Sequence, residues 1–123
     1  MKTFLLIAIF IFSTLICKAQ NNQVNTLFAG RYETIIKGNQ LKWDRGDIIL
    51  LDENRYKMST SNETGEYKFS VTAQRIFFTS GPLKSMYAKT SVINNAPAIV
   101  LPVAENEQSG IRLSSEILCY YKQ

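Results

Sequence analysis

The stretch Arg55-Tyr56-Lys57-Met58-Ser59-Thr60, the polar run Ser61-Asn62-Glu63-Thr64-Gly65, and the return Glu66-Tyr67-Lys68-Phe69-Ser70-Val71 decide the fold. Apolar and polar residues alternate on both sides of the polar run, so Tyr56, Met58 and Thr60 share one face, and Tyr67, Phe69 and Val71 share another. A period of two is the signature of a half-buried strand, because successive side chains leave opposite faces of a pleated chain. Asn and Gly between the two runs supply turn chemistry. The stretch therefore predicts a β-hairpin with one apolar face.

The same grammar extends in both directions. Upstream, Arg31–Lys37 reads as a first strand ended by Gly38-Asn39, and Leu41-Lys42-Trp43 as a short second one ended by Asp44-Arg45-Gly46. Asp47–Leu51 is an apolar run too short for an ordinary helix. Downstream, Arg75–Thr79, Ser85–Ile93, Pro97–Val103 and Glu116–Lys122 continue the series. Ser80-Gly81-Pro82, Asn94-Asn95 and a polar loop over Ala104–Gly110 separate them. No segment has the period of a long amphipathic helix. About eight short strands with no helix to cover them must close on themselves or pair sheet to sheet. Closure also removes edges that would recruit other chains. The fold class expected is all-β, a small antiparallel up-and-down barrel, shallow or filled rather than a deep cup.

The first 19 residues have a different composition. Lys2 precedes the apolar run Phe4–Phe12, extended by Leu15 and Ile16, and Cys17-Lys18-Ala19 puts small residues at a cleavage position. This is the pattern of a secretory signal peptide. The run is shorter than the roughly 20 residues needed to span a bilayer. Ile16 is bulkier than the residue a lipidation site places before its cysteine. Residues 1–19 thus read as a signal peptide and residues 20–123 as one β-barrel domain, secreted or periplasmic, with no stable membrane insertion. Cleavage removes Lys2 and Lys18, which lowers the net charge from +4 to +2. That excess is too small to imply nucleic acid as a partner. Cys119 is then the only cysteine, flanked by Ile117, Leu118, Tyr120 and Tyr121; a buried, inert thiol is expected, with an intermolecular bridge as the other possibility.

Gly30-Arg31-Tyr32 resembles the Gly-x-Trp opening of lipocalin-type barrels, with tyrosine in place of tryptophan. Asn54-Arg55-Tyr56, Gly65-Glu66-Tyr67 and Ile76–Leu83 are similar to small secreted lipocalin-like domains, in which aromatic-bearing strands alternate with glycine turns. The resemblance implies a barrel that binds a ligand or a protein, with Lys122 over the barrel end near Tyr32, and it implies no catalytic residues.

Histidine is absent, which removes the commonest general base and most zinc sites. Nucleophile-elbow, P-loop and dinucleotide motifs are absent too. Glu33, Asp44, Asp47, Asp52, Glu53 and Glu66 leave a two-carboxylate hydrolase formally open, but they fall in turns or on polar faces. Asp44, Asp47 and Asp52 lack calcium-loop spacing, Arg45-Gly46-Asp47 reads as a turn, and Asn62-Glu63-Thr64 is a formal glycosylation acceptor. No catalytic residue, metal site or cofactor is expected.

Two readings of function follow. In the first, a non-enzymatic module holds a small apolar ligand at the barrel's mouth or core, lined by Tyr32, Trp43, Tyr56, Tyr67 and Phe78. In the second, those rings fill the core, and loops Asp44–Asp47, Ser61–Gly65 and Glu105–Gly110 recognise an extracytoplasmic protein, as an interaction or inhibitor domain does.

Overall fold

The computed structural model describes residues 23–35, 45–113 and 115–122. The expected signal peptide and the expected strand at Leu41–Trp43 lie outside them. The described chain forms β1 (Gly30–Ile35), β2 (Ile48–Leu50), β3 (Arg55–Met58), β4 (Thr64–Ser70), β5 (Arg75–Phe78), β6 (Tyr87–Ile93), β7 (Ala96–Leu101), a short helix α1 (Val103–Gln108) and β8 (Ile117–Tyr121). Each strand pairs antiparallel with the next, and β8 returns to β1, giving a closed up-and-down barrel in the order of the sequence. Among the described residues no helix is long and apolar enough to cross a membrane.

Alternation sets the faces. Tyr32, Tyr56, Met58, Tyr67 and Phe78 point inward and are 4% exposed or less, with Ile76, Ile99 and Cys119 fully enclosed beside them. Two positions of the hairpin depart from the pattern. Val71 and Thr60 lie just beyond the ends of their strands, in turns where the pleat no longer holds them inward, and both are exposed. Pairing is the reason. Arg55 stands opposite Glu66 and Lys57 opposite Thr64, so β3 is only four residues long.

The polar loop expected over Ala104–Gly110 is a helix instead. Pro102, which has no N–H to continue the β7 ladder, sits just before α1. Asn106, fully buried, then takes the place of a strand residue: its amide accepts from Tyr87 N (2.7 Å) and donates to Tyr87 O (3.0 Å) and Pro102 O (2.7 Å). A polar residue in a polar run gives no periodic signal, so this anchor is invisible to pattern reading.

The up-and-down order gives the barrel two distinct ends. Connections leaving odd-numbered strands, including 59–63, 79–86 and the α1 segment, gather at one, called here the helix end. Turns 51–54, 71–74 and 94–95 gather at the other with residues 23–29, which strap across it. Val24 pairs there with the side chain of Gln74, from N to Oε1 (2.9 Å) and from Nε2 to O (2.8 Å).

Candidate functional site

Four of the five expected lining residues are brought together. Tyr32, Tyr56, Tyr67 and Phe78 share one core cluster, with Tyr56 and Phe78 ring centroids 4.9 Å apart and Tyr56 and Tyr67 6.4 Å apart. Trp43 lies outside the described residues. A void large enough for a ligand would leave free surface on the side chains that wall it, whether or not water entered, yet Tyr32, Ile48, Tyr56, Ile76 and Ile99 have none. Their neighbours are other side chains.

The hydroxyls on these rings are also committed. Tyr32 donates to Phe28 O (2.8 Å) and Tyr67 to Asp52 O (2.6 Å), both at the strap end. Tyr56 donates to Ser80 O (2.8 Å) and accepts from the buried Leu83 N (2.8 Å). Burial pushes all three phenols above their ordinary range. A buried hydroxyl that satisfies a carbonyl is doing structural chemistry. The tyrosines pin loops to the barrel.

Glycine makes the Tyr56 link possible. Tyr56 stands opposite Gly65 in the register, and its ring crosses the space that a side chain there would fill. A Cβ on Gly65 would meet Ser80 O, Tyr56 Cε1 at 2.6 Å and Gly81 Cα at 2.8 Å. Two backbones and a ring meet at one point.

The strap end carries the nearest thing to a mouth. A cleft of about 370 Å³ opens between the strap and the β6–β7 hairpin, with Phe28, Val92 and Pro97 as its apolar walls and Asn25 and Asn95 at its rim. Tyr121, rather than Lys122, covers Tyr32, at 5.3 Å between ring centroids. The side chain of Lys122 reaches Glu33 Oε2 on the outside of the wall (3.6 Å), because the strand alternation turns it outward. The expectation of Lys122 over the barrel end is corrected accordingly.

At the helix end, two of the proposed recognition loops present exposed side chains: Asn62 and Glu63 before β4 with Thr64 at its first position, and Ala104, Glu107, Gln108 and Ser109 on and after α1. The third is built into the wall. Asp47 is nearly buried, accepts Arg31 Nε (2.6 Å) and Thr34 N (2.9 Å), and exchanges bonds with Ser59. Gly46 has φ +76°, and a Cβ there would strike Ser59 Oγ. Arg45 donates to Pro82 O (2.7 Å). The Arg45–Asp47 turn is a seam between neighbouring segments of the wall.

Among the described residues no three acidic side chains gather into one site. Asp47 precedes β2 and Asp52 follows it, at opposite ends of the barrel, and Asp44 lies outside the described residues. Asp52 caps its own turn, accepting Asn54 N (3.1 Å), Arg55 N (2.9 Å) and Arg55 Nε (2.7 Å). The Arg55 guanidinium holds its carboxyl below the usual range. Cys119 is fully enclosed, 3.4 Å from the Thr34 hydroxyl, and burial pushes its thiol up to about 11.

Pattern reading missed the two side-chain amides that organise the ends, Asn106 and Gln74. The positive φ of Gln74 (50°) and its place in a four-residue turn leave no trace in hydropathy. Comparisons of this chain with protein-family models, curated proteins and solved structures find no match in any of the three.

Proposed function

We propose that this chain is an exported, non-enzymatic recognition module of lipocalin-like design, whose filled barrel is a scaffold and whose helix-end loops engage an extracytoplasmic protein. The observation that carries the reading is the state of the core: the inward rings are enclosed and every inward tyrosine hydroxyl is spent on a loop backbone. A scaffold held this rigidly favours recognition by what it displays, since little ordering entropy remains to be lost on binding. The displayed side chains at Asn62–Thr64 and Ala104–Ser109 share one end, so a single partner can reach both. The carboxylates of Asp47 and Asp52, already taken by arginines and backbone N–H groups, support a role outside catalysis.

The test uses a combined variant, Asn62→Ala, Glu63→Ala, Glu107→Ala and Gln108→Ala, which spares Asn106. Cross-linking of the purified domain in its host's extracytoplasmic fraction should capture a partner with the wild type, and the variant should lose it at unchanged Tm. Equal capture by the variant contradicts the loop reading. Export is tested separately: N-terminal sequencing of protein from outside the cytoplasm should begin at Gln20, and an intact Met1 start would refute cleavage.

A second reading keeps a small apolar ligand but moves it from the core to the strap-end cleft. The volume of about 370 Å³ favours it, since small-molecule sites begin near 300 Å³. Native mass spectrometry of protein from its own host should then show a bound mass that is lost in Phe28→Ala, and a ligand-free spectrum would end this reading.

A further inference from the structure

The outer wall of β4–β6 carries a second feature, formed by strand side chains rather than loops. Register aligns Lys68 with Phe77 and Phe77 with Tyr87, so these three form one outward row across three strands. The next row aligns Ser70, Arg75 and Lys89. Neighbouring strands lie about 4.8 Å apart, and same-face residues on one strand about 6.8 Å apart. Three cations and two rings therefore occupy a patch of roughly 10 by 7 Å.

Arg75 organises the patch. Its guanidinium carbon lies 4.3 Å from the Phe77 ring centroid and 3.9 Å from that of Tyr87, within the range of a cation–π contact. Its Nε is buried and has no hydrogen-bond partner among the described residues. None of Lys68, Arg75 and Lys89 makes an ion pair among the described residues, and no acid stands in either row. Phe77 is 39% exposed, an unusual position for a large ring on a wall. The platform is stiff from behind, because Asn106 holds both backbone groups of Tyr87.

Arginine and aromatic residues with their charges unpaired have the composition of a binding hot spot. What lies alongside selects the partner. The row of Ser70, Arg75 and Lys89 continues past the buried Val100 and the half-buried Leu118 to Ile35, which is 41% exposed. A uniformly charged polyanion would find cations at only one end of this row. A peptide carrying both carboxylates and apolar side chains would satisfy the cations, the exposed Phe77 ring between them and the exposed Ile35 further along. Because the barrel is closed, such a segment is read by side chains rather than added as a strand.

We propose that the outer face of β4–β6, where Lys68, Arg75 and Lys89 surround the rings of Phe77 and Tyr87, docks an acidic polypeptide segment that also bears apolar side chains. The site goes beyond the loop reading and is independent of it, since loop replacements leave these residues in place. The probe is a short fluorescein-labelled peptide alternating Asp with Leu, followed by fluorescence anisotropy. Wild type should bind it saturably and more weakly as salt is raised. The pair Lys68→Glu and Lys89→Glu, both exposed, should weaken binding about tenfold or more, equivalent to about 1.4 kcal/mol, with circular dichroism and Tm unchanged. Arg75→Lys should also weaken it, since charge without the planar fork is not equivalent. Any of four results overturns the proposal: no saturable binding, equal affinity for the charge-reversed pair, equal affinity for an Asn-for-Asp peptide, or tighter binding of a sulfated glycan or oligothymidylate.

Discussion

The two ends of the barrel are fastened by the same kind of bond but to different depths. At the helix end, Asn106 is completely buried and makes three hydrogen bonds, and the Tyr56 hydroxyl bridges Ser80 and Leu83 beneath the Gly65–Gly81 contact. At the strap end, Gln74 is half-buried, and the strap it holds has Phe28 45% exposed. Both ends use a side-chain amide in place of a missing backbone partner. Depth decides how much each is worth, because a buried donor left without a partner loses water as well. The helix end should behave as part of the core, and the strap end as a locally opening flap.

The largest break in that comparison should come from Gly65→Ala. The added carbon meets two backbones and a ring with little room to yield, so a loss of about 3 kcal/mol or more is expected, read as a lowered urea midpoint. Asn106→Ala should follow at about 3 kcal/mol by the same measurement, since it orphans the Tyr87 N–H and two carbonyls. Asn106→Asp should fail to rescue it, because a carboxylate keeps the acceptor but has no donors for Tyr87 O and Pro102 O. Tyr56→Phe preserves the ring and strands the Leu83 N–H, for about 2 kcal/mol. Gln74→Ala should cost about 1 kcal/mol globally while sharply raising hydrogen exchange at Val24. Equal global costs for Asn106→Ala and Gln74→Ala would erase the distinction between the ends.

The thiol supplies the smallest effect at neutral pH. Cys119 is held protonated by burial, with its ordinary value of 9.0 raised to about 11. The neutral form is favoured in the fold, so its contribution is complete below pH 9 and lost as pH rises through about 11. Thiol-reactive dye should leave native protein unlabelled at neutral pH and react fully in denaturant.

The barrel was legible because its information is periodic. Alternation at Tyr56–Met58 and Tyr67–Phe69 fixes which faces turn inward, and the turn residues between strands fix the count. The expected enclosure of Cys119 followed from its apolar flanks. The ends were not legible, because they depend on single polar residues, Asn106 and Gln74, that act at long range in place of backbone. Asp44–Asp47 shows the same limit from the other side: the sequence offers it as a recognition loop, whereas Asp47 is consumed by Arg31 and Thr34. The inward tyrosines were correctly expected to cluster, but whether their hydroxyls face a ligand or a carbonyl depends on loop positions that the local sequence does not encode. The Arg75 platform likewise needs register, which aligns Lys68, Phe77 and Tyr87 from three separate strands.

The central claim is that side chains, not a guest, occupy the barrel's interior. Methyl-resolved NMR of Ile48, Ile76, Ile99 and Ile117 during titration with a fatty acid tests it most directly. The account predicts that these inner signals stay fixed, with any shifts confined to the strap end; saturable one-to-one shifts of the inner isoleucines would contradict it.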